Sequence, residues 1–415
     1  MRFLFKIKAS KRIERITYYS VLSLILLYAF CVPSFGSRPG LSYSVYAVLG
    51  LLGVFTFLYL IFFKKVEFNR YLLFVPAFVG YALLGTLFFS HQFRGWLTLF
   101  LLSVSFFVLY YSFAVVEHKN HVLSVIIFGI FAFSLYYIFH YRSEIINFST
   151  YGSEAFRLGD YFDNQNDVAA CCLAGFSLSI YMLLFAKKLF KLVYILPMLS
   201  IFLVGLTTGS RTFLLASILI VLVFLYFKMK NHKLFYILSL IVIFGLFFGF
   251  INLPFMATLK ERLLKMIETF FSSSNTIDTS AVSRSIWLDY GVFLGSKNIL
   301  FGLGYGGFSI FSGVGTFTHS NIVEVFCDFG LLGALLFYSP YLVLICLQIK
   351  NKDRYLQLTL PLFVMYFAIS FSMVFFYNKM YYVMIALLSF ISINSYQQGS
   401  VKTYKETQIK VYEGS

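Results

Sequence analysis

Residues 95–141 read GWLTLFLLSVSFFVLYYSFAVVEHKNHVLSVIIFGIFAFSLYYIFHY. Two apolar runs, 95–116 and 121–141, are separated only by the polar EHKN at 117–120. At 1.5 Å per residue each run is long enough to cross a hydrocarbon core roughly 30 Å thick, and a four-residue polar break suits a turn at the membrane surface. The pattern repeats in both directions along the chain. Apolar runs are expected as helices near 16–33, 41–63, 71–90, 95–116, 121–141 and 167–186. A second set falls near 192–207, 211–227, 233–254, 320–347, 355–376 and 379–395. The expected fold is therefore an all-α polytopic membrane protein, a single membrane domain over 1–415 with about 12 transmembrane helices. A long extracytoplasmic loop at 255–319 is expected to carry amphipathic helices.

Composition agrees. The 415 residues are 60% hydrophobic and 12% charged, against roughly 25% charged in soluble chains. A barrel would show strand-length alternation of apolar and polar residues, which is absent. The formal charge of +16 does not mark a nucleic-acid surface, because the basic residues cluster at the ends of apolar runs, where they set topology. The five cysteines form no metal-ligand spacing and read as small core residues. The basic start at Met1–Arg15, with no small-residue cleavage site after Cys31, reads as a retained anchor.

Short cytoplasmic loops accumulate Lys and Arg. With the N-terminus inside, 22 of the 33 basic residues fall in cytoplasmic segments and both termini lie in the cytoplasm. The kind of cation differs between the sides. The inner set is 17 Lys and 5 Arg, and the outer set is 7 Arg (Arg38, Arg94, Arg142, Arg157, Arg211, Arg262 and Arg284) and 4 Lys. Arginine grips phosphate oxygens in bidentate fashion, so this asymmetry points to an anionic ligand on the outer face, with headgroup anchoring as the alternative.

Two outer segments are long, 142–166 and 255–319. In the second, Met256, Leu259, Leu263, Ile267 and Phe270 recur at helical spacing against Lys260, Glu261, Lys265 and Glu268, an amphipathic helix. The serine-rich run Ser272–Ser283 reads as a flexible break before a second amphipathic stretch around Ile286, Trp287, Tyr290 and Phe293.

Several residues stand where chemistry is expected. Arg211 follows Thr208, Gly209 and Ser210 at the start of an apolar helix. A cation there opposes the helix dipole, and an anion shared with the free backbone amides would account for it; snorkelling to the interface is the alternative. Arg284, the glycine-rich GLGYGG (Gly302–Gly307) and His319 form a second cluster. Glycines let backbone approach a ligand closely, although such a turn is often only a loop. An imidazole near its ordinary pKa of about 6.5 can take a proton from a hydroxyl. Glu324 and Asp328 stand four residues apart on one helix face inside the membrane, where carboxylates face a polar interior or pair with cations, and they are candidates to orient an arginine or His319. The acids Asp160, Asp163 and Asp167 read as a capping turn rather than a metal site.

Five motifs in this order resemble the O-antigen ligase and Wzy-type polysaccharide polymerase superfamily: DNQND at 163–167, GSRTFLL at 209–215, Arg284-x-x-Trp287, FGLGYGGF at 301–308 and HSNIVEVFCDFGLLG at 319–333. The resemblance covers residues 157–333; the first 140 residues match only as apolar helices. It implies a glycosyltransferase that needs no metal or other cofactor and moves a glycan from undecaprenyl pyrophosphate to a lipid-linked acceptor. The implied setting is the outer face of a bacterial cytoplasmic membrane, with membrane lipid, a flippase and chain-length regulators as partners and no nucleic acid. It places pyrophosphate binding on Arg211 and Arg284 and activation of the acceptor hydroxyl on His319. Arg157, Asn321 and Glu324 are candidates for orienting or acceptor-binding roles. Arg284 and Gly295 fit the Arg-x10-Gly spacing of some polymerases, whereas Arg211 and Arg157 have no glycine at that distance.

A capsular or O-antigen type repeat-unit polymerase is the first expectation. A ligase attaching finished polymer to another acceptor is the second; abundant Phe, Lys, Ile and Asn suggest an AT-rich genome and favour a capsule polymerase. A flippase or transporter is the rival class, but such carriers show two matching halves with broken helices in equivalent positions, and no such symmetry is legible.

Overall fold

The computed structural model describes residues 11–36, 41–63, 69–146, 161–162, 164–186, 191–229, 279–350 and 355–394, with Leu158 and single positions between His232 and Lys265. Every regular element among them is a helix. The first five are α1 (Lys11–Phe35), α2 (Ser42–Phe63), α3 (Phe74–Gly85), α4 (Phe93–Val116) and α5 (Lys119–His140). A short α6 (Arg142–Ile146) precedes α7 (Gln165–Phe185), α8 (Ile195–Thr207) and α9 (Arg211–Met229). Then come α10 (Thr279–Ser296), α11 (Gly307–Ser312), α12 (Asn321–Lys350), α13 (Leu356–Ile369) and α14 (Lys379–Asn394). Among the described residues eight helical stretches, α3 counted with its flanking turns over Arg70–Ser90, are long and apolar enough to cross a membrane, and three apolar helices are shorter. The helix expected at 233–254 lies mainly outside the described residues; Leu234, Ile237, Ile241, Gly245 and Gly249 within it are helical.

Contacts sort the turns into two ends. At one end Lys119 donates to the Ile391 carbonyl and Tyr18 bonds His121. At the other, Leu158 N–H donates to Thr207, Asn378 reaches Asp167, and Asn321 reaches the turn after α13. Candidate chemistry sits at this second end.

Lipid tails are as apolar as leucine, so packing rather than the hydrophobic effect joins membrane helices, and small residues serve the closest contacts. A Cβ on Gly129 of α5 would stand 2.6 Å from the Ala29 Cβ of α1. The innermost helix is α14, buried continuously from Met380 to Ile393, whereas α2 turns Leu51, Val54, Phe57 and Ile61 outward.

Two spans depart from the expected continuous helices. The segment expected over 320–347 is broken at Gly330, whose φ of 64° and ψ of −168° leave the helical region. Residues 299–304, expected within an external loop, fill the break. Leu303 and Gly304 N–H donate to the Cys327 and Asp328 carbonyls, and Leu331 and Leu332 N–H donate to Ile299 and Leu300. The span expected over 355–376 ends at Ile369; α13, at 14 residues, rises about 21 Å and falls short of the hydrocarbon thickness. Residues 370–378 complete the path without regular helix. In lipid, irregular backbone persists only where protein satisfies it, and here the Asn321 side chain does so. Its Oδ1 accepts from Phe375 and Phe376 N–H at 2.9 and 3.1 Å. Neither departure is visible to hydropathy, because the residues involved are themselves apolar.

Candidate active site

His319 ends the loop that leads into α12. Its φ of 60° is left-handed, a conformation that costs a non-glycine residue of order 1–3 kcal/mol and persists only where the surroundings enforce it. They do so on both sides. Thr318 N–H donates to Glu324 Oε2 at 2.7 Å, while Ser320 Oγ donates to the Ser370 carbonyl at 3.0 Å and Asn321 N–H to the same carbonyl at 2.8 Å. The imidazole stacks on Trp287 (5.3 Å between centroids, 20° between planes) and meets Phe317 edge-on at 4.7 Å. Burial, and secondly the guanidinium of Arg284, hold its pKa down to about 4. Both favour the neutral ring, so at neutral pH the imidazole carries a free lone pair, of lower basicity than an ordinary histidine.

The helix α10 explains why Arg284 is there. Arg284, Trp287, Gly291 and Gly295 recur every three to four residues and share one face. A Cβ on Gly291 would stand 2.7 Å from Thr318 Cγ2, and one on Gly295 would stand 2.7 Å from the Phe326 ring and 3.2 Å from Cys327 Cα. The glycines seat α10 on α12, and the same stripe, three turns earlier, delivers Arg284 to His319. The Arg-x10-Gly spacing is thus three helical turns along a packing face. Trp287 carries no role in the sequence reading; its spacing from Arg284 is the signal that would have placed it beside the histidine. The helix also corrects the serine-rich break: α10 begins at Thr279, so only residues up to 278 remain candidates for it, and these lie outside the described residues.

The glycine-rich turn has a structural use. A Cβ on Gly302 would stand 2.4 Å from Phe329 N, and one on Gly304 would stand 2.5 Å from the Gly85 carbonyl oxygen. Its glycines therefore admit helix backbone. Asp328, fully buried, accepts from Gly306 N–H at 2.8 Å and Phe308 N–H at 3.2 Å, holding the start of α11. Glu324 and Asp328, expected to orient an arginine or the histidine directly, act through backbone: one fixes the residue before His319, the other the turn in the helix break. Asn321, a candidate for acceptor binding, is fully buried, with Nδ2 donating to the Tyr338 hydroxyl at 2.8 Å and Oδ1 committed to Phe375 and Phe376.

Arg211 is half-buried at the N-terminus of α9, after a turn in which Ser210 N–H donates to Thr208 Oγ1 at 3.3 Å and Phe213 N–H to Ser210 Oγ at 3.4 Å. The helices α9 and α13 pack together, which puts Arg211 at the same end as Ser370, the partner of Ser320. The charge of Arg284 acts on His319, and Arg211 stands at the same end, at the start of α9. Arg157 lies outside the described residues, although its neighbour Leu158 is tied to Thr207, four residues before Arg211. Asp160 and Asp163 also lie outside them. Asn164 caps α7 by accepting from Asn166 N–H at 3.0 Å. Among the described residues no group of three or more His, Cys, Asp or Glu side chains is placed to hold a metal ion.

Residues 196–338 match the family model described as O-antigen ligase. The match runs from α8 to Tyr338, past the break in α12, and includes Arg211, Arg284 and His319; it bears out the resemblance to the O-antigen ligase and polymerase superfamily and supports an activity of that general type. No curated protein matches the chain.

Proposed function

We propose, on the premise that the segment holding these residues is of the O-antigen ligase type, that the chain is a repeat-unit polymerase of a capsular or O-antigen type polysaccharide. In this reading it crosses the membrane twelve times as a single domain, with both termini in the cytoplasm and the His319 end outside. The donor is the growing chain on undecaprenyl pyrophosphate, and the acceptor is the next lipid-linked repeat unit. An acceptor hydroxyl attacks the anomeric carbon and its proton passes to His319. The bond to pyrophosphate breaks, and the leaving oxygens collect charge near Arg211 and Arg284. Glu324 positions the histidine through Thr318, and Arg157 extends the cationic rim. The arginines supply the positive charge that neutralises the leaving pyrophosphate. Two lipid substrates held in one membrane groove also meet without a slow encounter in water.

The observation that carries this reading is His319 stacked on Trp287 at one end of a membrane bundle, with Arg284 one turn before Trp287 on the same helix face. The test is glycan length in cells lacking the gene, complemented with wild type, Arg211→Ala, Arg284→Ala or His319→Ala at matched membrane levels. Wild type is expected to restore a ladder of long polymer and each variant to leave single repeat units. Accumulation of long, unattached lipid-linked polymer in the null strain would make the protein a ligase, and loss of outward-facing repeat units would make it a flippase.

A further inference from the structure

A cavity of about 220 Å³ opens at the His319 end between the ends of α1, α4, α7 and α14. Its apolar wall includes Val32, Pro33 and Met380, and its polar lining is Thr98, Asp167, Asn378 and Lys379. These polar groups are held in place. Asn378 Nδ2 donates to Asp167 Oδ1 at 2.8 Å, while Asn378 Oδ1 accepts from Met380 N–H at 2.8 Å and caps α14. Lys379 Nζ donates to the Gly36 carbonyl, and Thr98 Oγ1 donates to the Arg94 carbonyl at 3.2 Å.

One carboxylate and one ammonium make the lining balanced in charge. A pyrophosphate would meet Asp167 as a like charge, whereas a neutral ring rich in hydroxyls finds both acceptors and donors. Tyr377 adds a flat apolar face to the wall. At about 220 Å³ the space is below the roughly 300–1,000 Å³ of drug-sized ligand pockets and suits one sugar ring rather than an oligosaccharide. The cavity is linked to the base by two aromatic contacts: Tyr377 lies 6.2 Å from Phe317, and Phe317 lies 4.7 Å from His319. That separation makes a ring in the cavity the neighbour of the ring that reacts.

We infer that this cavity is a subsite for one neutral sugar of the acceptor glycan, placing the next sugar's hydroxyl at His319; the inference rests on the transferase reading above. The experiment uses the full-length purified protein in detergent and, as probe, the lipid-free repeat-unit oligosaccharide released by mild hydrolysis of the cells' own surface polysaccharide. Binding is read by saturation-transfer NMR. Wild type is expected to bind. Thr98→Trp, which fills the cavity, is expected to weaken binding at least tenfold with an unchanged melting temperature. If Thr98→Trp does not fold, Asp167→Asn takes its place, with the same tenfold loss expected. Equal binding by the variant and wild type, or no binding by wild type, overturns the subsite. The two readings fail separately: intact polymer in the null strain with cavity-dependent binding removes the polymerase and keeps the sugar site, while a lost ladder with cavity-independent binding does the reverse.

Discussion

The breaks at Gly330 and at residues 370–378 interrupt neighbouring spans at the same end of the bundle, yet they are closed by different means. At Gly330 the backbone of one segment repairs another: four N–H groups bridge residues 299–304 and the two halves of α12. Tyr81 of α3 adds its hydroxyl to the Leu300 and Phe329 carbonyls at 3.1 and 3.0 Å. After α13 a single side chain, Asn321, satisfies two amides at once. A backbone-closed break needs glycine for close approach and tolerates no Cβ. A side chain-closed break needs one residue type and tolerates variation elsewhere. The second reaches the His319 loop through the Ser370 carbonyl, while the helix that carries the first holds that loop through Glu324.

Gly330→Val has the largest expected effect, on the backbone-closed break. A Cβ there would stand 2.5 Å from the Leu300 carbonyl at a φ of +64°, so overpacking and backbone strain add to about 3–5 kcal/mol; the expected result is loss of folded protein from the membrane fraction. Asn321→Ala leaves two buried amides without an acceptor and is expected to cost about 3 kcal/mol, read as a lowered melting temperature in detergent. Tyr338→Phe removes the partner of Nδ2 and a hydroxyl contact with Ser370, and is expected to cost about 1–2 kcal/mol. A larger loss in Tyr338→Phe than in Asn321→Ala would show that Asn321 is not closing the second break through its oxygen.

Asp328→Asn tests the first break at lower cost. One carboxylate oxygen becomes an NH2 facing an N–H, and about 1–2 kcal/mol is expected from the lost acceptor, with the His319 loop still held by Glu324. A further effect is in pH. The pKa of His319 is lowered in the fold to about 4, below the ordinary 6.5 or so. The folded state therefore binds fewer protons than the unfolded one; this contribution to stability is present above about 6.5 and is lost as pH falls toward 4. Transfer activity limited by His319 is accordingly expected to hold from pH 8 to about 5 and to fall near 4. Removing Arg284 is expected to move that fall upward, which a pH profile of residual activity in Arg284→Lys and Arg284→Ala would detect.

Much of the site's cast was legible in the chain. Arg211 at a helix start, Arg284, His319 and the pair Glu324 and Asp328 are all polar residues where an apolar protein has reason to avoid them, and desolvation makes such residues informative. Their partners were not legible. Nothing in FGLGYGGF says that its glycines admit helix backbone rather than a ligand. Nothing in HSN says that the amide of Asn321 is spent on residues 375 and 376, more than fifty positions away. Thr98, Asn378 and Lys379 are unremarkable in sequence and meet Asp167 only because four helix ends converge.

The sequence by itself determined that the chain is a bundle of apolar helices, because every stretch near twenty apolar residues must satisfy its own backbone in lipid and only a helix does so locally. It also determined which residues are too polar to lie there without a use. Only the tertiary structure decided that α14 is the buried centre while α2 faces outward. A leucine against lipid and a leucine against another helix are equivalent in hydropathy, and the difference lies in packing. The same holds for the two breaks: their stability depends on donors and acceptors supplied from distant segments, a condition that no local pattern of residues records.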